Sequence, residues 1–154
     1  MPNTYTQIYI QTVFAVKHRH GLIRSEWKED LYRYMTGIIQ KQGHKLIAIN
    51  GMSDHVHVFI GLNPKQSISE LLQYLKMDSS KWINENRLVQ GRFEWQTGYG
   101  AFSYGHSQID DVVKYIQNQE EHHRKRTFLE EYTLFLDKFN VPYDERYVFK
   151  PVEE

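Results

Sequence analysis

Apolar positions along the chain change period several times, and each change predicts a new element. YTQIYIQTVFAV (5–16) concentrates β-branched and aromatic residues and predicts a strand. Ser25 is placed to cap a helix over 26–42, where Trp27, Leu31, Tyr34, Met35 and Ile38 fall on one face. KLIAINGMSD (45–54) and SDHVHVFIGL (53–62) follow as two strands with almost no connection, the pattern of an antiparallel hairpin. Ser67 and Glu70 read as a capping box for a second helix carrying Ile68, Leu71, Leu72, Leu75, Trp82 and Ile83 at helical spacing. FEWQTGYGAFSYG (93–105) predicts an aromatic strand interrupted by glycines. Ser107 then opens a helix over 108–125, TFLEEYTLFLDKF (127–139) forms another, and a tail containing Pro142 and Pro151 lies on the surface. The order β-α-β-β-α-β followed by extra helices predicts an α+β fold, a ferredoxin-like or RRM-like antiparallel sheet with additional C-terminal helices. No repeat, linker or low-complexity tract interrupts it, so residues 1–154 are expected to form a single domain.

Within this pattern one strand is anomalous. Side chains alternate across a strand, so His55 and His57 share a face with Phe59, while Val56, Val58, Ile60 and Leu62 take the other, core-facing side. Two imidazoles side by side on an otherwise apolar strand are either hydrogen-bonded sheet residues or a pair of ligands converging on one ion.

The predicted helix over 108–125 offers a partner for that pair. With Ile109, Val112, Val113 and Ile116 as its buried stripe, Tyr115 and Gln119 lie four apart on one edge, where Gln108 and His122 extend the row. A phenol and an amide at the border of the buried face can both be presented to a sheet on which the helix packs. Taken alone, either is an ordinary boundary residue.

Composition narrows the classes of function. The chain is 40% hydrophobic and 25% charged, the balance of a folded globular protein. No apolar run approaches the roughly 18–20 residues of a membrane span, and MPNTYTQIYI lacks the regions of a secretory signal. With no cysteine, disulfides and thiolate metal sites are excluded, and a cytoplasmic location is expected. Formal net charge is zero, which argues against coating nucleic acid by bulk electrostatics. The charge is uneven, however: KHRHGLIR (17–24) is purely basic, and Glu130, Glu131, Asp144, Glu145, Glu153 and Glu154 make the end of the chain acidic.

D-H-V-H-V, followed some sixty residues on by Y-I-Q-N-Q-E-E-H-H, resembles the HUH endonuclease superfamily. Within it the chain is similar to the single-tyrosine, TnpA-type transposases of insertion sequences and their REP-associated relatives. WQTGYGAF (95–102) and QEEHHRKRTFLEEY (119–132) also look like the later part of that family. The resemblance implies that His55, His57 and Gln119 bind one divalent metal, Mg²⁺ or Mn²⁺, and that Tyr115 is the nucleophile. It further implies single-stranded DNA with hairpin ends as substrate, cleaved and rejoined through a 5′-phosphotyrosine. A homodimer is also implied, with active sites that can be shared between subunits across a hinge at Gly98, Gly100 and Gly105. Lys17, Arg19, Arg24, Lys76, Lys81 and Arg92 are candidate phosphate contacts, with Trp95 or Tyr99 to stack bases. Asp54 is a candidate for orienting a ligand from behind. His18, His20, His106, His122 and His123 receive no role, and no residue stands out as general base. Two other readings compete: a non-enzymatic hairpin binder in which His57 and Phe59 stack bases as RRM aromatics do, and a metal-dependent hydrolase with water as nucleophile, which has no need of Tyr115.

Overall fold

The computed structural model describes residues 4–143, so the acidic positions from Asp144 onward and Pro151 lie outside the described residues. Four strands, β1 (Tyr9–Ala15), β2 (Lys45–Met52), β3 (His55–Gly61) and β4 (Gly100–Tyr104), form one antiparallel sheet in the order β2-β3-β1-β4. With α1 (Ser25–Lys41) and α2 (Ile68–Glu85) as crossovers, this is the expected βαββαβ plan.

Both faces of the sheet are covered. On one, Ile10, Phe14, Val56, Val58 and Ile60 meet Leu31, Met35 and Ile39 of α1 and Leu71, Leu75 and Ile83 of α2. The opposite face carries Val13, Ala15, Phe59 and Phe102, packed under α3 (Ile109–Gln117) and α5 (Phe128–Lys138). His57 sits opposite Val13, and His55 opposite Ala15, on that second face. An RRM leaves this surface open to bases. Here Phe59 and His57 are both 0% exposed, so neither offers a stacking platform.

Several boundaries differ from the sequence expectation, each for a local reason. Arg24, not Ser25, is the N-cap of α1, and no side chain caps it; Ser25 is already the first helical residue. Ser67 does cap α2, accepting from the Glu70 amide. The aromatic strand is shorter than 93–105, because Gly98 adopts φ +91° and the segment before it makes only a single bridge, Trp95 to Val16. The helix over 108–125 is not continuous either: a 3-10 turn (His106–Gln108) precedes α3, and Asn118 (φ −97°, ψ 29°) separates it from α4 (Gln119–His123). α5 begins in a full capping box between Thr127 and Glu130.

Two glycines permit the close approaches around the histidines. A Cβ on Gly51 in β2 would lie 2.1 Å from the His55 carbonyl oxygen, and one on Gly100 in β4 would lie 2.7 Å from the Tyr132 ring of α5. Any side chain at either point would push β3 or α5 away from the site.

Candidate active site

His55 and His57 are held in one ring orientation by the groups behind them. His55 Nδ1–H donates to Asp54 Oδ1 at 2.7 Å. His57 Nδ1–H donates to Gln11 Oε1 at 2.7 Å; the Gln11 amide is oriented by donating its own N–H to the Tyr104 hydroxyl at 2.8 Å. With both Nδ1 atoms used as donors, both Nε2 atoms turn inward, the arrangement by which proteins prepare imidazoles as ligands. Asp54 thus makes, behind His55, the hydrogen bond that its position suggested.

What they face is a carboxylate. Glu131 on α5, 2% exposed, places Oε1 3.1 Å from His57 Nε2 and 3.4 Å from His55 Nε2. The same oxygen lies 3.2 Å from Nε2 of His123, whose Nδ1–H donates to the Arg126 carbonyl at 3.0 Å. Gln119 is fully buried, its Oε1 2.9 Å from His55 Nε2 and its Nε2 donating to Glu131 Oε2 at 3.2 Å. The Tyr115 hydroxyl also donates to Glu131 Oε2. Its ring stacks on His122, centroids 4.3 Å apart, with the edge of Phe135 against it.

The break at Asn118 helps to aim these two residues. Asn50 of β2 donates its side-chain amide to the Ile116 and Gln117 carbonyls at 3.0 and 3.3 Å, satisfying groups that the helix end leaves free. That pins the end of α3 to the sheet between Tyr115 and Gln119. Phe128, at the start of α5, stacks on His55 with centroids 4.1 Å apart and closes the other side.

Electrostatics at the cluster are strongly coupled. Burial raises the Glu131 carboxyl, but the imidazoles of His123, His55 and His57 outweigh it and hold the group well below the usual carboxylate range. Burial lowers His55 too, yet its bonds to Asp54 and Glu131 win and push it up to about 9. His57 goes the other way: burial dominates, and its pKa falls below the ordinary value. Tyr115 is pushed up, first by burial and then by the Glu131 charge.

These shifts favour a cation. A neutral His57 with its proton on Nδ1 aims a lone pair at a carboxylate oxygen 3.1 Å away, an opposition that a metal ion between them removes. His55, His57 and Glu131 bring one donor atom each within 4.8 Å of one another, and the Gln119 oxygen borders the same space. Two imidazoles with oxygen donors suit a divalent ion, and the residues present fit one.

A pH dependence follows for the metal-free protein. The His55 pKa is raised above its ordinary 6.5, so its ion pairs stabilise the fold fully below pH 6.5 and are lost as pH rises through about 9. A metal bound at His55 Nε2 would have to displace the proton from that nitrogen. Mn²⁺ affinity, measured by calorimetry, is therefore expected to rise by up to about tenfold per pH unit until about pH 9, with proton release detectable in buffers of different ionisation enthalpy. A flat affinity between pH 6.5 and 8.5 would show that His55 Nε2 is not a ligand.

The sequence-predicted residues fare unequally. His55, His57, Gln119 and Tyr115 come together in one chain. Trp95 does not belong to a binding surface: it is 9% exposed, packs edge-on against Phe14 and Phe93, and donates its indole N–H to Ser79. Lys76 spends its ammonium on the Gln96 and Gly98 carbonyls, and burial lowers its pKa to about 8. Lys17 and Arg92 both pair with Glu94, and Lys81 with Glu85, all at the surface where such pairs exchange readily. Tyr99 hydrogen-bonds Ser69. Arg19 is half-buried with φ 57°, and Arg24 is exposed at the start of α1. Sequence reasoning missed Glu131 and His123.

Against known proteins, the family described as IS200-like transposase matches residues 4–119, three quarters of the chain. The chain belongs to the IS200-like transposase family. The match contains both histidines, Tyr115 and Gln119, and ends before Arg126 and Glu131. Among relatives, the chain is 23% identical over 120 residues to the ISDra2 transposase TnpA of Deinococcus radiodurans, covering 75% of this chain and 86% of that one. It is also 23% identical over 116 residues to the IS200 transposase of Salmonella typhimurium, covering 71% and 76%. Its fold matches a crystal structure described as a transposase from Deinococcus radiodurans, with TM-score 0.62, 24% identity and 76% and 94% coverage. It matches a REP-associated tyrosine transposase bound to a REP hairpin with TM-score 0.61 and 11% identity, over 99% and 97% of the two chains.

Proposed function

We propose that this chain cleaves and rejoins single-stranded DNA with Tyr115 as nucleophile and a divalent metal, Mg²⁺ or Mn²⁺, held by His55, His57 and Glu131 with Gln119 beside them. One observation carries the reading: the Tyr115 hydroxyl and both inward imidazole nitrogens converge on the two oxygens of a single carboxylate. A hydrolase that activates water has no use for a tyrosine at that point.

In the reaction, Tyr115 Oη loses its proton and forms a bond to the scissile phosphorus, while the bond to the 3′ oxygen breaks and that oxygen takes up a proton, so no net proton is consumed. The products are a 5′-phosphotyrosine and a free 3′-OH, and the energy retained in the phosphodiester lets a later 3′-OH reverse the step. Glu131 orients the phenol but is a weak base, because its imidazole partners stabilise the carboxylate. Its negative charge is also a cause of the raised phenol pKa, so neutralising that charge eases the ionisation of Tyr115. A bound divalent ion would supply that neutralisation and offset the charge developing on the phosphate. DNA with hairpin ends is the substrate class we favour, in keeping with the hairpin bound by the structural relative.

The direct test is a covalent adduct with single-stranded DNA on a denaturing gel in Mn²⁺ or Mg²⁺, lost with EDTA or in Tyr115→Phe. Binding without an adduct would leave only a hairpin-binding role. All four groups lie in one chain, so a homodimer would carry two sites, each built by one subunit. Mixed dimers of His57→Ala and Tyr115→Phe subunits are therefore expected to show no recovery of adduct formation. Recovery in a verified heterodimer would mean that the tyrosine helix crosses between subunits.

A further inference from the structure

We propose that Arg126 is a catalytic residue, its guanidinium gripping the scissile phosphate beside Tyr115; this rests on the DNA-cleavage reading above. Two openings lie beside Arg126. One opening is a cleft of about 410 Å³ whose walls include Gln11, Tyr115, Glu131, Phe135 and Lys138. The other is a groove formed by Ser53, Asp54, His123 and the basic connection between α4 and α5. Arg126 lines both, so it joins the cleft that holds Tyr115 and Glu131 to a second groove that neither of them lines.

The residue is placed and left free. Its carbonyl accepts from His123 Nδ1–H at 3.0 Å, which ties its backbone to the carboxylate centre. Its side chain is exposed and makes no hydrogen bond or ion pair among the described residues, whereas neighbouring Arg124 is paired with Glu121 at 3.2 Å. The cleft also presents two carboxylates, Asp111 and Glu131, that repel a phosphodiester, and one other cation, Lys138. Of the two cations that offset them, only the guanidinium offers two parallel N–H donors to the non-bridging oxygens.

The experiment compares wild type, Arg126→Ala and Arg126→Lys on one single-stranded hairpin oligonucleotide with either a phosphodiester or an uncharged methylphosphonate at the cleavage position. Arg126→Ala is expected to form adduct about 10²–10³-fold more slowly on the phosphodiester, with Arg126→Lys between the two. On the methylphosphonate, which lacks the charged oxygen, wild type and Arg126→Ala should react equally. With uncleaved DNA, the slope of log affinity against log salt should shrink by about 0.7, one phosphate contact on a single strand. Unchanged Mn²⁺ affinity in Arg126→Ala confirms that the centre is intact. A phosphodiester rate within about threefold of wild type, or an equal loss on both oligonucleotides, overturns the proposal. Absence of any adduct from wild type overturns the cleavage reading instead, and the salt slope alone then decides whether Arg126 holds a phosphate.

Discussion

Replacing Glu131 by Gln is expected to weaken Mn²⁺ binding by at least about 100-fold, more than loss of an outer hydrogen-bond partner costs. Among the described residues the carboxylate is the one formal negative charge that both strand histidines face, at 3.1 and 3.4 Å. An amide keeps the shape but removes that charge. It also leaves His55 with only Asp54 as ionic partner, so its pKa should fall from about 9 toward the ordinary value. In the metal-free state the variant should lose stability below pH 9 and lose little above it, because the ion pair it deletes exists only while His55 is protonated. Calorimetry with Mn²⁺ and melting curves across pH 6–9 separate the two effects. Metal affinity unchanged by Glu131→Gln would leave His55, His57 and Gln119 as the binding set and reduce Glu131 to a counter-ion.

Tyr115→Phe is the second large effect, and it should divide activity from everything else. The hydroxyl donates to Glu131 Oε2, an oxygen that keeps its bond from Gln119 Nε2, so the carboxylate is not orphaned. Loss of this hydrogen bond to a charged group should cost about 1.5–3 kcal/mol of stability. The ring keeps its contacts with His122 and Phe135. DNA affinity and metal affinity are expected to stay within about twofold of wild type, while adduct formation disappears, since phenylalanine has no oxygen to attack phosphorus. Residual strand cleavage in this variant would point to water as the nucleophile.

The parts of this centre that are readable from sequence are those whose spacing is local. His55 and His57 announce themselves because two imidazoles interrupt one face of an apolar strand, and Tyr115 and Gln119 because a helix brings residues four apart together. The structure keeps that neighbourhood even though the helix breaks at Asn118, since Asn50 takes up the carbonyls released there. Glu131 is harder to see because it approaches from a separate helix, and only the fold brings it opposite β3. A signal exists nonetheless: Phe128, Glu131, Tyr132, Phe135 and Leu136 share one stripe, and a carboxylate in the middle of such a stripe calls for buried cationic partners. Trp95 misleads for the converse reason. Glycines around it suggest an open aromatic surface, but the single bridge to Val16 folds the segment inward and puts the indole in the core. The charges from Lys17 to Arg92 carry no periodic signature, so their partners depend on surface geometry that the pattern of residues does not encode.

The most direct test of the central claim is peptide mapping of the product formed with single-stranded hairpin DNA and Mn²⁺. After nuclease and protease digestion, mass spectrometry should find a nucleotide joined through its 5′ phosphate to Tyr115 and to no other residue. Cleaved DNA with no linked peptide, or a linkage to a different side chain, would contradict the account.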